Sequence, residues 1–172
     1  MRQPDNPQLA GLDLLRRFDD DPPGTWLAQP KFDGWRRVLH FAGTTEVPMI
    51  QTKHAEHATR EFPPELLDAL MRHFPTCILD GEWMGPRQKG SAHRYIIFDL
   101  LSLGDAYLGA VPFGKRRASL CSLCSALGVN GDPKARVQLA QTWPNPGPGP
   151  AGTSHSLMDL YAQQMQDPNS EG

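Results

Sequence analysis

Apolar and polar residues along this chain repeat with two different periods, and the places where the period changes outline its elements. Leu12, Leu14 and Leu15 give a weakly amphipathic stretch that ends at Asp21-Pro22-Pro23-Gly24, so residues 1–25 read as a lead-in helix and a loop. Residues 26–29 form a short strand that delivers Lys31 into a turn at Asp33-Gly34. Residues 35–41 are a strand, Gly43-Thr44-Thr45 turns the chain, and residues 47–52 return as a second strand, which predicts a hairpin. After Pro63-Pro64, Leu66, Leu67, Leu70, Met71 and Phe74 recur at helical spacing and predict a helix packed on a sheet. Two strands follow at 76–84 and 94–101, joined by a Gly-Pro-rich turn, and then a helix over 115–127 closed by Gly128. Val137 and Leu139 alternate with polar residues in a strand over 136–141. The next stretch, 144–152, holds four prolines and three glycines in nine residues and is expected as an irregular surface loop. Ser156 is placed to cap a last helix with Leu157, Leu160, Tyr161 and Met165 on one side. There is no internal repeat. Mixed strands and helices with prominent hairpins make an α+β domain.

Composition narrows the class. The 172 residues are enough for one compact domain with a sizeable core, at 39% apolar and 21% charged residues. Seventeen Lys and Arg against 19 acidic residues give a net charge of −2, which argues against a strongly basic nucleic-acid coat but permits a local basic groove. No apolar run approaches a membrane span and no signal-peptide core follows Met1, so no membrane partner is expected; the protein is expected to be cytoplasmic, of prokaryotic or phage type. Three cysteines do not make a disulfide framework. Cys121 and Cys124 form a lone C-x-x-C inside a helix, lacking the second pair that a structural zinc site needs, and read as buried small side chains. His54 and His57 read as solvated.

The hexapeptide Lys31-Phe32-Asp33-Gly34-Trp35-Arg36 is the most informative in the chain. A lysine at a strand end before a tight turn projects an amine into a cleft. Gly34 lets the backbone approach a ligand, Asp33 supports the turn, and Arg36 offers a forked phosphate binder. Nearby cations favour the neutral, nucleophilic form of an amine.

These residues resemble the K-x-D-G-x-R signature of the covalent nucleotidyltransferases, which include ATP-dependent DNA ligases, RNA ligases and mRNA capping enzymes. Further stretches follow in the family's order. Leu79-Asp80-Gly81-Glu82-Trp83 resembles the motif that presents a glutamate to the nucleotide ribose and the metal. Tyr95-Ile96-Ile97-Phe98-Asp99-Leu100-Leu101 resembles the motif whose phenylalanine stacks on the purine. Pro112 with Arg116-Arg117 echoes the family's proline-to-arginine stretch, and Glu171-Gly172 looks like the start of its E-G-x-V-x-K motif. The resemblance runs from Trp26 to the last residue. One departure is Lys53, with Arg60 further on, where relatives carry an arginine after the hairpin.

The resemblance implies a nucleotidyltransferase (ligase adenylylation) domain of antiparallel sheets flanked by helices, ATP-grasp-like, over residues 26–172 and incomplete at its C-terminus, without the OB-fold domain. It implies an ATP-dependent DNA ligase working in repair, replication or recombination, with ATP and Mg²⁺ as cofactors and nicked double-stranded DNA (RNA as the alternative) as partner of a monomeric protein. Lys31 is then the nucleophile. Asp33, Gly34, Arg36, Glu82 and Phe98 contact the nucleotide, and Glu82 and Glu171 hold the metal. The alternatives are an RNA ligase, a GTP-dependent capping enzyme, or an inactive remnant that binds a nucleotide or a protein. The 172 residues alone are expected to adenylylate slowly, if at all, and not to seal a nick.

Overall fold

The computed structural model describes residues 18, 20–43, 46–52, 62–85, 93–129, 135–145 and 157–166. Glu171, Gly172, Lys53, Arg60, His54, His57, Ser156 and the stretch containing Leu12 to Leu15 lie outside them. The elements in chain order are β1 (Leu27–Ala28), β2 (Trp35–Phe41), β3 (Met49–Gln51), α1 (Pro64–His73), β4 (Cys77–Met84), β5 (Arg94–Leu103), β6 (Ala106–Tyr107), α2 (Phe113–Ala126), β7 (Val137–Leu139), β8 (Trp143–Pro144) and α3 (Leu157–Gln164). The chain divides into two units: residues 33–140, and residues 1–32 together with 141–172.

The unit of residues 33–140 is built on one sheet in the order β3-β2-β4-β5-β6, with β7 also paired to β5. The expected hairpin is present, with Val38 opposite Gln51 and His40 opposite Met49. All pairs of this sheet are antiparallel except β5–β7, which is parallel from Tyr95 opposite Val137 to Ile97 opposite Leu139. A parallel neighbour needs a crossover, and the connection through α2 supplies it.

Strand alternation decides which face is buried. Leu39, Phe41, Leu79, Trp83, Tyr95, Ile97 and Leu100 belong to one apolar cluster. Helix α1 lays Leu66 and Leu70 on this cluster, Phe74 follows at its end, and α2 adds Leu120 and Cys124. Each such side chain contributes about 1.5–3 kcal/mol when fully buried. Helix α1 starts at Pro64, whose missing N–H costs nothing in the first turn, and carries Glu65 near its start and Arg72 and His73 near its end, as the helix dipole favours. Helix α2 ends as expected at Gly128, where φ is +69°. Val129 N–H donates to the Cys124 carbonyl at 2.8 Å and Gly128 N–H to the Ser125 carbonyl at 3.2 Å, a Schellman closure that requires the left-handed residue. Cys124 is buried as anticipated, whereas Cys121 is exposed, because α2 turns that position away from the sheet.

The other unit pairs β1 with β8 antiparallel, Leu27 opposite Pro144 and Ala28 opposite Trp143. Pro144, expected in an irregular loop, therefore lies in a two-residue strand at the sheet edge, where its missing N–H is tolerated. Asn145, 1% exposed, fastens this unit. Its Oδ1 accepts from Trp26 N–H at 2.9 Å, and its Nδ2 donates to the carbonyls of Phe18, Asp21 and Pro22 at 2.8, 3.0 and 3.3 Å. Helix α3 buries Leu157 and Leu160, while Tyr161 and Met165 are exposed. Among the described residues, no helix is long and apolar enough to cross a membrane.

Candidate functional site

Three of the sequence motifs meet on β2, β4 and β5. Register sets Arg36 on β2 opposite Glu82 on β4, and Glu82 opposite Ile96 on β5. All three lie on the face away from the apolar cluster, because Trp83 and Ile97, their strand neighbours, point into it. Phe98, further along β5, is half-buried.

Gly34 packs against the end of β4. An ideal Cβ built on Gly34 would stand 2.7 Å from Glu82 Cγ, 2.7 Å from the Trp83 carbonyl oxygen and 2.8 Å from Met84 Sδ. The glycine of K-x-D-G is thus required by the close approach of its own backbone to the end of β4. Gly81, the glycine of the second motif, has a similar cause. The Tyr95 ring fills its side-chain space, with Cζ 2.7 Å from an ideal Cβ. The Tyr95 hydroxyl donates to the carbonyl of Arg37 at 2.8 Å and reaches that of Leu79 at 3.4 Å. Burial pushes its pKa well above the usual phenol range, with the Asp80 charge adding to the effect.

Arg36 is engaged within the protein. Its Nε donates to Asp80 Oδ1 at 2.9 Å and its Nη2 to Asp80 Oδ2 at 2.5 Å. Asp80 sits diagonally across the pair, within reach of a long side chain. The Arg36 side chain is 60% exposed and that of Asp80 only 9%, so the forked end covers a nearly buried carboxylate. This hydrogen bond raises the arginine pKa further. Lys31 and Asp33 are exposed. Lys31 belongs to the unit of β1 and β8, and Gly34, Arg36, Glu82 and Phe98 to the other, joined by the continuous backbone from Lys31 to Gly34.

Strand β5 does not run evenly past β4. Asp80 is opposite Asp99, but Gly81 is opposite Ile97, so Phe98 is the extra residue of a β-bulge. Two arginines of α2 hold this bulge. Arg116 chelates Asp99 through Nε (3.0 and 3.1 Å) and Nη2 (2.5 Å), and the buried Arg117 donates to the Phe98 carbonyl at 3.4 Å and to the Ala140 carbonyl. Sequence reading had not singled out Asp80, Asp99 or Tyr95. The available signal was an aspartate inside each strand motif with an arginine, Arg36 or Arg116, elsewhere in the chain to answer it.

Among the described residues no three His, Cys, Asp or Glu side chains converge as a metal cluster. Magnesium, however, is commonly held by one or two carboxylates together with substrate phosphates. A single half-buried Glu82 fits a cation that arrives with a nucleotide.

The fold of this chain is similar to that of solved ligase domains. The ligase domain of LigD from M. tuberculosis superposes with a TM-score of 0.59 at 19% identity, over 84% of this chain and 45% of that one. A mycobacterial DNA ligase D complexed with ATP and MES gives 0.58 at 18% identity, over 81% and 44%. In sequence, the chain is similar to several proteins named DNA ligases. It is 29% identical to DNA ligase C1 of Mycolicibacterium smegmatis (74% of this chain, 45% of the relative) and 33% identical to DNA ligase C2 of the same organism (62% and 36%). DNA ligase C of Mycobacterium tuberculosis is 28% identical, over 66% and 38%. The chain thus spans less than half the length of these relatives. No protein-family model matches it.

Proposed function

We propose that this chain is the nucleotide-loading region of an ATP-dependent DNA ligase and that Lys31 carries the AMP. The lone pair of Lys31 Nζ attacks the α-phosphorus of ATP. The bond from that phosphorus to the bridging oxygen breaks, pyrophosphate leaves with its electron pair, and the amine loses a proton to solvent. The product is a lysyl-AMP phosphoramidate. AMP then passes to a 5′-phosphate at a nick in duplex DNA, and a 3′-hydroxyl displaces it. Mg²⁺ supplies charge neutralisation on the phosphates when it is bound.

The observation that carries this reading is the meeting of Gly34 and Arg36 of the first motif with Glu82 of the second, beside the strand that holds the third motif and Phe98. Glu82 is assigned to the ribose and the metal, and Phe98 to the adenine, where stacking on one aromatic face contributes about 1–3 kcal/mol. Asp33 supports the turn, and Glu171 is assigned to ribose or metal on resemblance. Arg36 serves phosphate or ribose; its exposed guanidinium keeps donors beyond the two that Asp80 uses. DNA is the favoured polynucleotide because each relative above bears a DNA ligase name. The three cysteines are free, which suits a reducing cytoplasm. A monomer is the simplest form of such a domain.

Competition between labelled ATP and GTP for Lys31 tests base choice and class together. Labelling from ATP that excess GTP leaves intact supports the ligase reading. Preferential labelling from GTP would move the chain to the capping enzymes.

A further inference from the structure

We propose that Tyr95 is a positioning residue for nucleotide binding, its hydroxyl holding together the parts of β2 and β4 that carry Arg36 and Glu82; this rests on the assignment of Glu82 to the ribose and the metal. Register puts Arg37, the residue after Arg36, opposite Gly81, the residue before Glu82. Tyr95, on β5, lies across that pair. Its ring fills the side-chain space of Gly81, with Cζ 2.7 Å and Oη 2.8 Å from an ideal Cβ. Its hydroxyl donates to the Arg37 carbonyl at 2.8 Å and reaches that of Leu79 at 3.4 Å. One side chain of the third motif thus occupies the glycine of the second and is bonded one residue past the arginine of the first. The root of Tyr95 is fixed as well. It lies opposite Trp83 on β4 and Val137 on β7, and its N–H donates to the Arg136 carbonyl at 2.7 Å.

Packing alone does not account for the hydroxyl. Tyr95 is 0% exposed within the apolar cluster, and a buried hydroxyl is unfavourable unless it is hydrogen-bonded. A phenylalanine would fill the same space over Gly81; what it would lose is the tie to β2. That tie falls where the sheet is irregular. The register of β4 against β5 shifts between Asp80 and Gly81, and such shifts disrupt the ladder and increase the local twist. Adjacent strands differ in twist by roughly 10 to 35°, enough to change the separation of Arg36 and Glu82 across β2 and β4. A hydrogen bond that runs from β5 past Gly81 to β2 fixes that twist. Burial, with the charges of Asp80 and Glu82 adding to it, raises the Tyr95 pKa well above the usual phenol range, so the hydroxyl keeps its proton at neutral pH.

The test is a double-mutant cycle on Tyr95→Phe and Glu82→Ala in this chain, read by titration with Mg²⁺ and α,β-methylene-ATP, which cannot release pyrophosphate. Thermal melting runs alongside, and sucrose, which favours the compact state, is added to every arm if Tyr95→Phe melts early. Tyr95→Phe is expected to bind the analogue about tenfold more weakly, as a charge-assisted hydrogen bond to the nucleotide falls out of line. In the Glu82→Ala background the same change should cost nothing further. Full affinity in folded Tyr95→Phe, or losses that add in the double variant, would overturn the positioning role while leaving the ligase reading intact. A Tyr95→Phe chain that does not fold even in sucrose would overturn it too, since the hydroxyl would then serve the fold and not the site. Glu82→Ala at full affinity, or a wild-type chain that does not bind the analogue, would overturn the underlying assignment, and this inference with it.

Discussion

Gly34 lies so close to Glu82 that a methyl group on the glycine would overlap Glu82 Cγ, at 2.7 Å. The turn after Lys31 and the carboxylate of the second motif therefore depend on one another for their positions. Gly34→Ala must displace the turn, because the Trp83 carbonyl, equally close, is backbone and does not yield. Misplacement of a reacting group by about 1 Å can cost roughly a hundredfold in rate. Single-turnover labelling of Lys31 in Gly34→Ala should fall by about that factor, and labelling at the wild-type rate would show that the contact does not position the lysine.

Arg36 and Asp80 give a second expectation. The arginine is largely exposed, so the ion pair by itself is worth little. The cost of Arg36→Ala comes from Asp80, left nearly buried without its donors, and should be about 1–3 kcal/mol in chemical denaturation. Asp80→Ala together with Arg36→Ala should be less destabilised than the sum of the two single changes. Additive losses would mean that the pair is not coupled.

Asn145 joins four backbone groups of its unit, and its loss leaves the Trp26 N–H and three carbonyls without their partner. Asn145→Ala should destabilise that unit on the order of 3 kcal/mol, and hydrogen exchange at Trp26 should accelerate. Unchanged protection at Trp26 would contradict the network.

Alkali should unfold the protein for an identifiable reason. Burial pushes the Cys77 thiol up to about 12 and the Cys124 thiol to about 11, and raises the Tyr95 hydroxyl well above 10. These groups are more strongly protonated in the fold than in the unfolded chain, so their contribution is complete below about pH 9. It is lost as pH rises from there through the folded values. Melting temperature should decline above pH 9, less steeply in Cys77→Ala. At pH 8, a thiol reagent should modify exposed Cys121 quickly, and Cys77 and Cys124 only after denaturation. Rapid modification of all three thiols in the native protein would show that the core is open.

The sequence made some of this legible and hid the rest, for reasons that differ by residue. Strand β2 and helix α1 declared themselves because period 2 and period 3.6 are local properties, and Gly128 marked the end of α2 by its backbone alone. The motif residues were readable as a resemblance, and Arg36, Glu82 and Phe98 among them lie on β2, β4 and β5. The parallel pairing of β7 was not readable, since residues some forty positions apart in the chain share no local signal. Asn145 was hidden in a proline-glycine stretch whose composition suggests only a loop. The answering of Asp80 by Arg36 and of Asp99 by Arg116 needs the register, including the bulge at Phe98, and no spacing rule supplies it.

The most direct test of the account is the identity of the residue that takes AMP. The chain is incubated for hours with α-labelled ATP and Mg²⁺, then analysed by intact mass and peptide mapping. One adenylyl group should appear on Lys31, through a bond cleaved by acid and stable to alkali, and Lys31→Ala should carry none. An adduct on another residue, or an adduct undiminished in Lys31→Ala, would contradict it.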